Sequence, residues 1–434
     1  MWIQKPARSR ACSESVWFER LKGEMRFSRA EKTQKFKATE TQPKHRVNTM
    51  KALVFGLLGV CLLAQTAESA APPSPAMEYR TLCSRQGLCK QLSRLILGTD
   101  HLGNLPQVQT LEVLNEALKL GINTFDTAPI YTDKIEIRLG AWLARQNRTD
   151  LHVITKGGFP RDLGPGTYQS RLKTSKAEIV TQVSEELEKS RAQYRQKISI
   201  YLMHRDDADF NNYQRVKREQ TPVQTVLEAL SAPLLTQHFD FLGLSNWRTA
   251  RVEEALQLAQ THPDFSQPLC NSPYFSLLEM GPVTIHSGGV QVKHAEMMRA
   301  DFQRGISLMP YSPLGGFSIF SRGWESAKAH AYRLKMQKDR YWRNLFDAIF
   351  TEANHQRYLR AEAFAKAFNL QHQTHYSLDQ FVNAYALAHP RSDFLIIGPR
   401  SVAQLRRTVE ALKLAKALNA EDLDWLYGKE SVSH

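Results

Sequence analysis

Asn123-Thr124-Phe125-Asp126-Thr127-Ala128-Pro129-Ile130-Tyr131 is the stretch on which the reading of this chain turns. A short β-like run delivers a carboxylate at its end, and a tyrosine follows on the connecting turn. Two further runs end the same way: His152-Val153-Ile154-Thr155 delivers Lys156, and Ile198-Ser199-Ile200-Tyr201-Leu202-Met203 delivers His204. In a (β/α)8 barrel the C-terminal strand ends converge on one pocket, so polar residues at three strand ends imply a shared site.

Working outward, short apolar runs alternate with amphipathic helices, the pattern of a parallel barrel. Eight candidate strands are Leu95–Thr99, Asn123–Asp126, His152–Lys156, Ile198–Met203, Phe239–Leu244, Gln267–Asn271, Ile306–Pro310 and Phe394–Gly398. Ser175-x-x-Glu178 and Ser401-x-x-Gln404 read as capping boxes, and Thr221-Pro222 as an N-cap followed by proline at the first helical position. Ile179, Val180, Val183 and Leu187 recur at helical spacing, giving a face to bury against the sheet. The expected fold class is therefore α/β, a (β/α)8 TIM barrel in a single domain over residues 77–430, with a long helical insertion between strands seven and eight. That insertion is rich in aromatics (Trp324, Tyr332, Tyr341, Trp342, Phe346, Phe350), whose default role is packing rather than ligand contact.

Ahead of the barrel the sequence divides into three. Residues 1–49 are polar and basic, with 12 Lys/Arg against 5 Glu, and account for half of the formal charge of +14. They read as a disordered extension, with Met50 the expected start. Residues 50–71 resemble a secretory signal: Lys51, a 13-residue apolar core over 52–64, and the small-x-small site Ala67-Glu68-Ser69. The core is too short for a membrane span. Ala71-Pro72-Pro73-Ser74-Pro75 is a stiff linker within the 71–76 region, so that 72–76 separates signal and barrel. Export is expected if the segment from Met50 works as a signal, and a cytoplasmic location otherwise. The remaining positive charge lies on helix faces without a nucleic-acid motif, so no nucleic-acid partner is expected.

Asp126-Thr127-Ala128-Pro129-Ile130-Tyr131, Thr155-Lys156-Gly157 and Leu202-Met203-His204-Arg205, in that order, resemble the catalytic signature of the aldo-keto reductases, over roughly Met77 to Leu426. The resemblance implies reduction of a carbonyl, or oxidation of an alcohol, with Tyr131 as general acid. Chemistry explains the set. A phenol is a weak acid at neutral pH, a neighbouring ammonium stabilises its phenolate, and a carboxylate keeps the ammonium charged. Lys156 and Asp126 take those roles, and His204 orients the substrate oxygen.

The cofactor site is also implied by resemblance. No Gly-x-Gly-x-x-Gly follows a strand, which argues against a Rossmann domain. Gly243-Leu244-Ser245-Asn246 looks like the segment whose Ser and Asn hold the nicotinamide carboxamide, with Asn271 where the family usually has glutamine. Pro310-Tyr311-Ser312-Pro313-Leu314 looks like the segment whose tyrosine stacks on the nicotinamide and whose Ser312 and Leu314 follow the pyrophosphate. Gly398-Pro399-Arg400-Ser401, leading to Gln404, looks like the 2′-phosphate site, so NADP(H) is expected, with NAD(H) the alternative. Asp100 lies where the family contacts the nicotinamide ribose. Arg407 and Thr408 replace the Glu-Asn pair common at the adenine. A small-molecule carbonyl or alcohol is the expected partner. The rival reading is a nicotinamide-nucleotide-binding redox sensor or scaffold with little turnover.

Other signals are weak. His372-x-x-His375 lacks a third ligand, so no metal site is expected. Cys83 and Cys89 could face each other across a hairpin, but sequence supplies no geometry for a bond, and free thiols are the expectation. Asn147-Arg148-Thr149 is a glycosylation sequon only for a protein passing through a eukaryotic secretory pathway.

Overall fold

Apolar runs of four to seven residues, too short for helices and bounded by turns, become the staves of a ring. The computed structural model describes residues 77–131, 133–159, 161–164, 167–169, 175–194, 196–206, 221–281, 289–337 and 340–428, and the extension, signal-like segment and linker lie outside them. In chain order the strands are β1 (Tyr79–Cys83), β2 (Cys89–Ser93), β3 (Leu95–Gly98), β4 (Thr124–Asp126), β5 (His152–Gly157), β6 (Arg161–Gly164), β7 (Thr167–Gln169), β8 (Ile198–Met203), β9 (Phe239–Ser245), β10 (Pro268–Ser272), β11 (Ser307–Leu308) and β12 (Leu395–Ile397). Eight of them form one sheet of order β11-β10-β9-β8-β5-β4-β3-β12, and every pairing in it is parallel.

The sheet closes on itself. Phe394 N–H donates to Leu308 O at 3.0 Å and Ile396 N–H to Pro310 O at 2.8 Å, and Tyr311 bridges Ile396 in parallel. The expected seventh strand ran from Ile306 to Pro310, whereas its ladder holds only Ser307 and Leu308. Pro310 has no N–H to continue the pairing, but its carbonyl still serves the seam. The other seven staves fall within two residues of their expected ends.

Alternation along each strand separates two cores. Ile96, Ile154, Ile200, Leu202, Phe241, Met309 and Ile396 fill the barrel interior, and Leu82 and Leu92 of the β1–β2 hairpin join them from below. Leu97, Phe125, Val153, Leu242 and Leu244 face outward and pack under the helices. Each fully buried side chain of this kind stabilises the fold by about 1.5–3 kcal/mol. The hairpin carries the one corrected cysteine expectation: Cys83 and Cys89 are directly cross-strand, with Cα atoms 4.1 Å apart, and form a disulfide. Hairpin register, which spacing alone did not reveal, supplies the geometry.

Helix starts follow their capping residues. Ser175 Oγ caps Lys176–Arg191 by accepting from Glu178 N–H, and Ser401 caps Val402–Ala415 through Gln404 N–H. Pro222 sits one position earlier than expected, before Val223–Leu230. Between β11 and β12 the chain adds the helices Ile319–Arg322, Trp324–Lys335, Arg340–Ile349 and Glu352–His372 ahead of the barrel helix Leu378–Ala388. The aromatics of this insertion pack on one another: Trp324 meets Phe350 at 5.2 Å and Tyr358 at 5.7 Å, and Phe346 meets Phe350 at 5.1 Å. The Tyr341 side chain lies outside the described residues. No described helix is long and apolar enough to cross a membrane.

Gly140, inside the helix Asp133–Leu143, marks a close approach: a Cβ there would overlap the backbone carbonyl of Gln193. Alanine normally favours a helix by about 1 kcal/mol over glycine. Here the overlap outweighs that gain, and Gly140→Ala is expected to lose about 1–3 kcal/mol in urea denaturation. A stabilised variant would show that the two segments are not in contact.

Candidate active site

Asp126 is the last residue of β4 and Lys156 the fifth of β5, and their register brings both to the same barrel mouth. The Lys156 ammonium lies 2.5 Å from Asp126 Oδ1, contacts Oδ2 as well, donates to Thr127 O at 2.9 Å, and donates to Tyr131 Oη at 2.9 Å. Asp126 and Lys156 are buried and Tyr131 half-buried. His204 follows β8 directly and its N–H donates to Gly157 O at 2.8 Å, which carries its ring to within 6.3 Å of the Tyr131 ring, nearly perpendicular to it. All four residues expected at the site therefore meet.

Local sequence makes this possible. A Cβ at Gly157 would collide with the Tyr201 hydroxyl and Glu186, so the strand can leave Lys156 only through glycine. Gly158, at φ +73°, turns the chain, and its N–H donates to Glu186 Oε2 at 2.5 Å. That turn brings Phe159 into a T-shaped contact with the His204 ring, 4.9 Å between centroids, and the buried Arg205 guanidinium lies over the Phe159 ring at 4.9 Å. Phe159 and Arg205 were not singled out from sequence. Arg205 stands next to His204 and Phe159 two positions beyond the Lys156-Gly157 pair, and that proximity is the signal in the sequence that points to them.

Burial pushes the Asp126 carboxyl up and the Lys156 ammonium down, and each group's charge opposes the other's shift. Burial also holds the Tyr131 phenol well above its ordinary value, reinforced by the charges of Asp126 and Asp100 and only partly offset by Arg205. An ammonium beside a phenol lowers it, as expected from the sequence, but here burial and the Asp126 carboxylate outweigh that effect.

The residues expected to hold a cofactor fall into three groups. Asn246, at φ +57°, and Ser245 stand at the end of β9. Asn246 Nδ2 donates to Ser245 Oγ at 2.9 Å, its Oδ1 accepts from Tyr311 Oη at 2.8 Å and from Val290 N–H at 3.1 Å, and Ser245 donates to Ser272 O at 3.1 Å. Asn271 stands apart. It pairs in register with the outward-facing Leu244, and its amide donates to Gln303 at 2.9 Å behind the wall. The next residue, Ser272, takes the inward position opposite Ser245, and its buried hydroxyl has no hydrogen-bond partner among the described residues. An orphaned inward hydroxyl beside Ser245, Asn246 and the Tyr311 ring suits a planar amide such as a nicotinamide carboxamide.

The second group is Ser312, at φ +56°, and Leu314 on the turn after Tyr311, where Gly315 N–H closes on Ser312 O at 3.0 Å. The third is Gly398, Arg400, Ser401 and Gln404 beyond β12. Ser401 Oγ accepts from Gln404 N–H at 3.2 Å, and Gln404 Oε1 accepts from Arg400 N–H at 2.7 Å rather than from Ser401. The Arg400 side chain is exposed beside His101, 3.5 Å away, and Asp100 approaches His101 at 3.8 Å. A helix N-terminus with an exposed guanidinium suits a phosphate.

A cavity of 410 Å³ opens at the other end of the barrel, lined by Ser84, Arg85, Gln267, Ser307, Arg391 and Asp393 among others. These residues lie on the hairpin and at strand starts, the face that serves stability rather than chemistry in such barrels. Among the described residues no three His, Cys, Asp or Glu side chains are grouped to hold a metal ion.

The profile of the Aldo/keto reductase family matches residues 94–427. Among curated proteins, an uncharacterised oxidoreductase, YrpG, of Bacillus subtilis (strain 168) is 26% identical over 78% of this chain and 92% of its own length. A versiconal hemiacetal acetate reductase of Aspergillus parasiticus is 24% identical over 81% and 96%, and a putative aryl-alcohol dehydrogenase, AAD14, of Saccharomyces cerevisiae is 23% identical over 82% and 87%. With that match running from Arg94, where the barrel begins, to the final helix, the chain belongs to the Aldo/keto reductase family of oxidoreductases.

Proposed function

We propose that this protein reduces aldehyde or ketone groups with NADPH and that Tyr131 supplies the proton. The observation that carries the reading is the Lys156 ammonium, which touches the Asp126 carboxylate and the Tyr131 hydroxyl at once in a barrel mouth. Barrel stability alone does not call for a buried cation next to a phenol, and burying one is costly unless it is paired.

NADPH, when bound, supplies the hydride that adds to the carbonyl carbon. Tyr131 gives its hydroxyl proton to the carbonyl oxygen as charge builds there, and Lys156 stabilises the phenolate left behind. Asp126 keeps Lys156 charged and aimed. His204 fixes the substrate oxygen near Tyr131, and Phe159 walls the pocket on the far side of His204. Ser245, Asn246, Ser272 and Tyr311 would hold the carboxamide and one face of the ring, Asp100 the ribose, Ser312 and Leu314 the pyrophosphate, and Arg400, Ser401 and Gln404 the 2′-phosphate. The raised Tyr131 phenol keeps its proton near neutral pH, as a group that must hand one to the carbonyl oxygen requires.

We also infer that the protein acts after export. The Cys83–Cys89 disulfide supports an oxidising compartment, as does the signal-like segment before it. N-terminal sequencing of the native protein is expected to begin at Ala70. The segment lacks the Arg-Arg pair of a folded-export signal, so the chain would cross unfolded and take up its cofactor afterwards.

Tyr131→Phe is expected to lower turnover of generic aldehydes at least about hundredfold with NADPH binding nearly unchanged, since a positioned general acid contributes at least that much. Retained turnover would remove Tyr131 from the chemistry. A wild-type protein that binds NADPH tightly and turns nothing over would favour the sensor or scaffold reading.

Arg400→Leu is expected to weaken NADPH binding about ten- to hundredfold in a fluorescence titration, and NADH binding hardly at all, because only the former carries the phosphate. Equal losses for both nucleotides would place Arg400 elsewhere on the cofactor.

A further inference from the structure

Behind the strand that carries Lys156 lies a second carboxylate that the chemistry above does not use. Glu136 sits on the helix Asp133–Leu143, one turn beyond Tyr131, and is buried. It accepts hydrogen bonds from Thr155 Oγ1 at 2.9 Å, Tyr194 Oη at 3.1 Å and Ser190 Oγ at 3.1 Å. Its partners are all neutral hydroxyls, and no Lys or Arg of the described residues pairs with it. A buried carboxylate placed among hydroxyls alone is an expensive way to staple a helix to a sheet, because a neutral amide could hold the same hydroxyls, its oxygen accepting from two and its NH2 donating to the third, at a far lower desolvation cost.

Its position relative to the site explains the charge. Thr155 and Lys156 are consecutive on β5, so their side chains point to opposite faces: Lys156 into the mouth, Thr155 outward to Glu136. The same carboxylate also ties the end of the helix Lys176–Arg191 to the helix that follows Tyr131, through Ser190 and Tyr194.

We propose that Glu136 is a positioning residue for the reaction inferred above, its buried negative charge helping to keep Lys156 protonated while its three hydroxyl bonds hold β5 in place. Burial lifts the Glu136 carboxyl above its ordinary range; the bonds from Thr155, Tyr194 and Ser190 oppose that, and the Lys156 charge opposes it less than they do. A group raised in the folded state contributes stability that is present below its unfolded value and lost as pH rises through the folded one. At neutral pH ionised Glu136 thus costs fold stability, as a charge kept for function would.

The test is Glu136→Gln, which keeps the shape and an acceptor and removes the charge. Turnover of an aldehyde is expected to fall about tenfold or more with KM within twofold, while the melting temperature holds or rises. In parallel, carbamylation of Lys156 by cyanate, followed by peptide mass spectrometry across pH, reports the neutral amine directly. Its midpoint is expected to move down by roughly half a pH unit in the variant, less than a charge in direct contact would give. Should Glu136→Gln fold poorly, Tyr194→Phe removes one of the hydroxyl bonds that keep the carboxylate ionised, and the same downward movement is expected. Identical carbamylation profiles in wild type and variant would overturn the proposal, whether or not the protein reduces any carbonyl. A lowered melting temperature with turnover and profile intact would reduce Glu136 to a staple. Loss of the reductase reading alone would show as a wild type without turnover whose Lys156 still responds to the charge at Glu136.

Discussion

A positive charge buried at the lip of a barrel must be answered from several directions at once. Lys156 is answered by the Asp126 carboxylate at the end of β4 and by the Thr127 carbonyl and the Tyr131 hydroxyl on the connection leaving it. Those partners are available only if β4 and β5 keep a register that places Asp126 beside Ile154. A slip of one residue would send Lys156 into the apolar layer under the helices. The charge therefore acts as a register lock for the sheet as well as a chemical group, and the glycines after it follow from the same demand, since the chain must turn sharply away without crowding Tyr201.

Most of the ring was legible because each stave is short, apolar and terminated by turn or helix signals, and the strand ends carried residues that meant something together. Asp126, Tyr131, Lys156 and His204 were each readable and their meeting followed from the fold. Cofactor-side positions were less secure, since spacing places a residue on a strand without saying which face it takes. Asn271 and Ser272 make the point: counting back from Tyr274 selects the former, while the alternation set by Leu244 and Ser245 turns the latter inward. The Tyr131 phenol was misjudged for a related reason. Neighbouring charge can be read from sequence, but desolvation depends on how much protein covers a group.

The insertion between β11 and β12 adds a layer of aromatic helices without disturbing the ring. Its rings satisfy one another, Trp324 against Phe350 and Tyr358, and Phe317 against Phe350 at 5.6 Å. The insertion leaves from the turn that bears Ser312 and Leu314, so its packing fixes the far end of the segment proposed to follow the pyrophosphate. Specificity in such barrels resides in connections of this kind.

The last stave has a bearing on how the protein is made. β12 pairs Leu395 with Leu95 and joins the seam at Pro310, so contacts between the two ends of the barrel sequence complete the cylinder. During synthesis β3 and β11 remain exposed edges until nearly the whole chain has emerged. Non-local pairings of this span are slow to form, and open edges invite association with other chains. Cys83 and Cys89, six positions apart, can by contrast pair as soon as the first hairpin appears. Assembly is thus expected to begin from a cross-linked floor and to finish at the seam, with the edges of the unfinished cylinder open until β12 arrives.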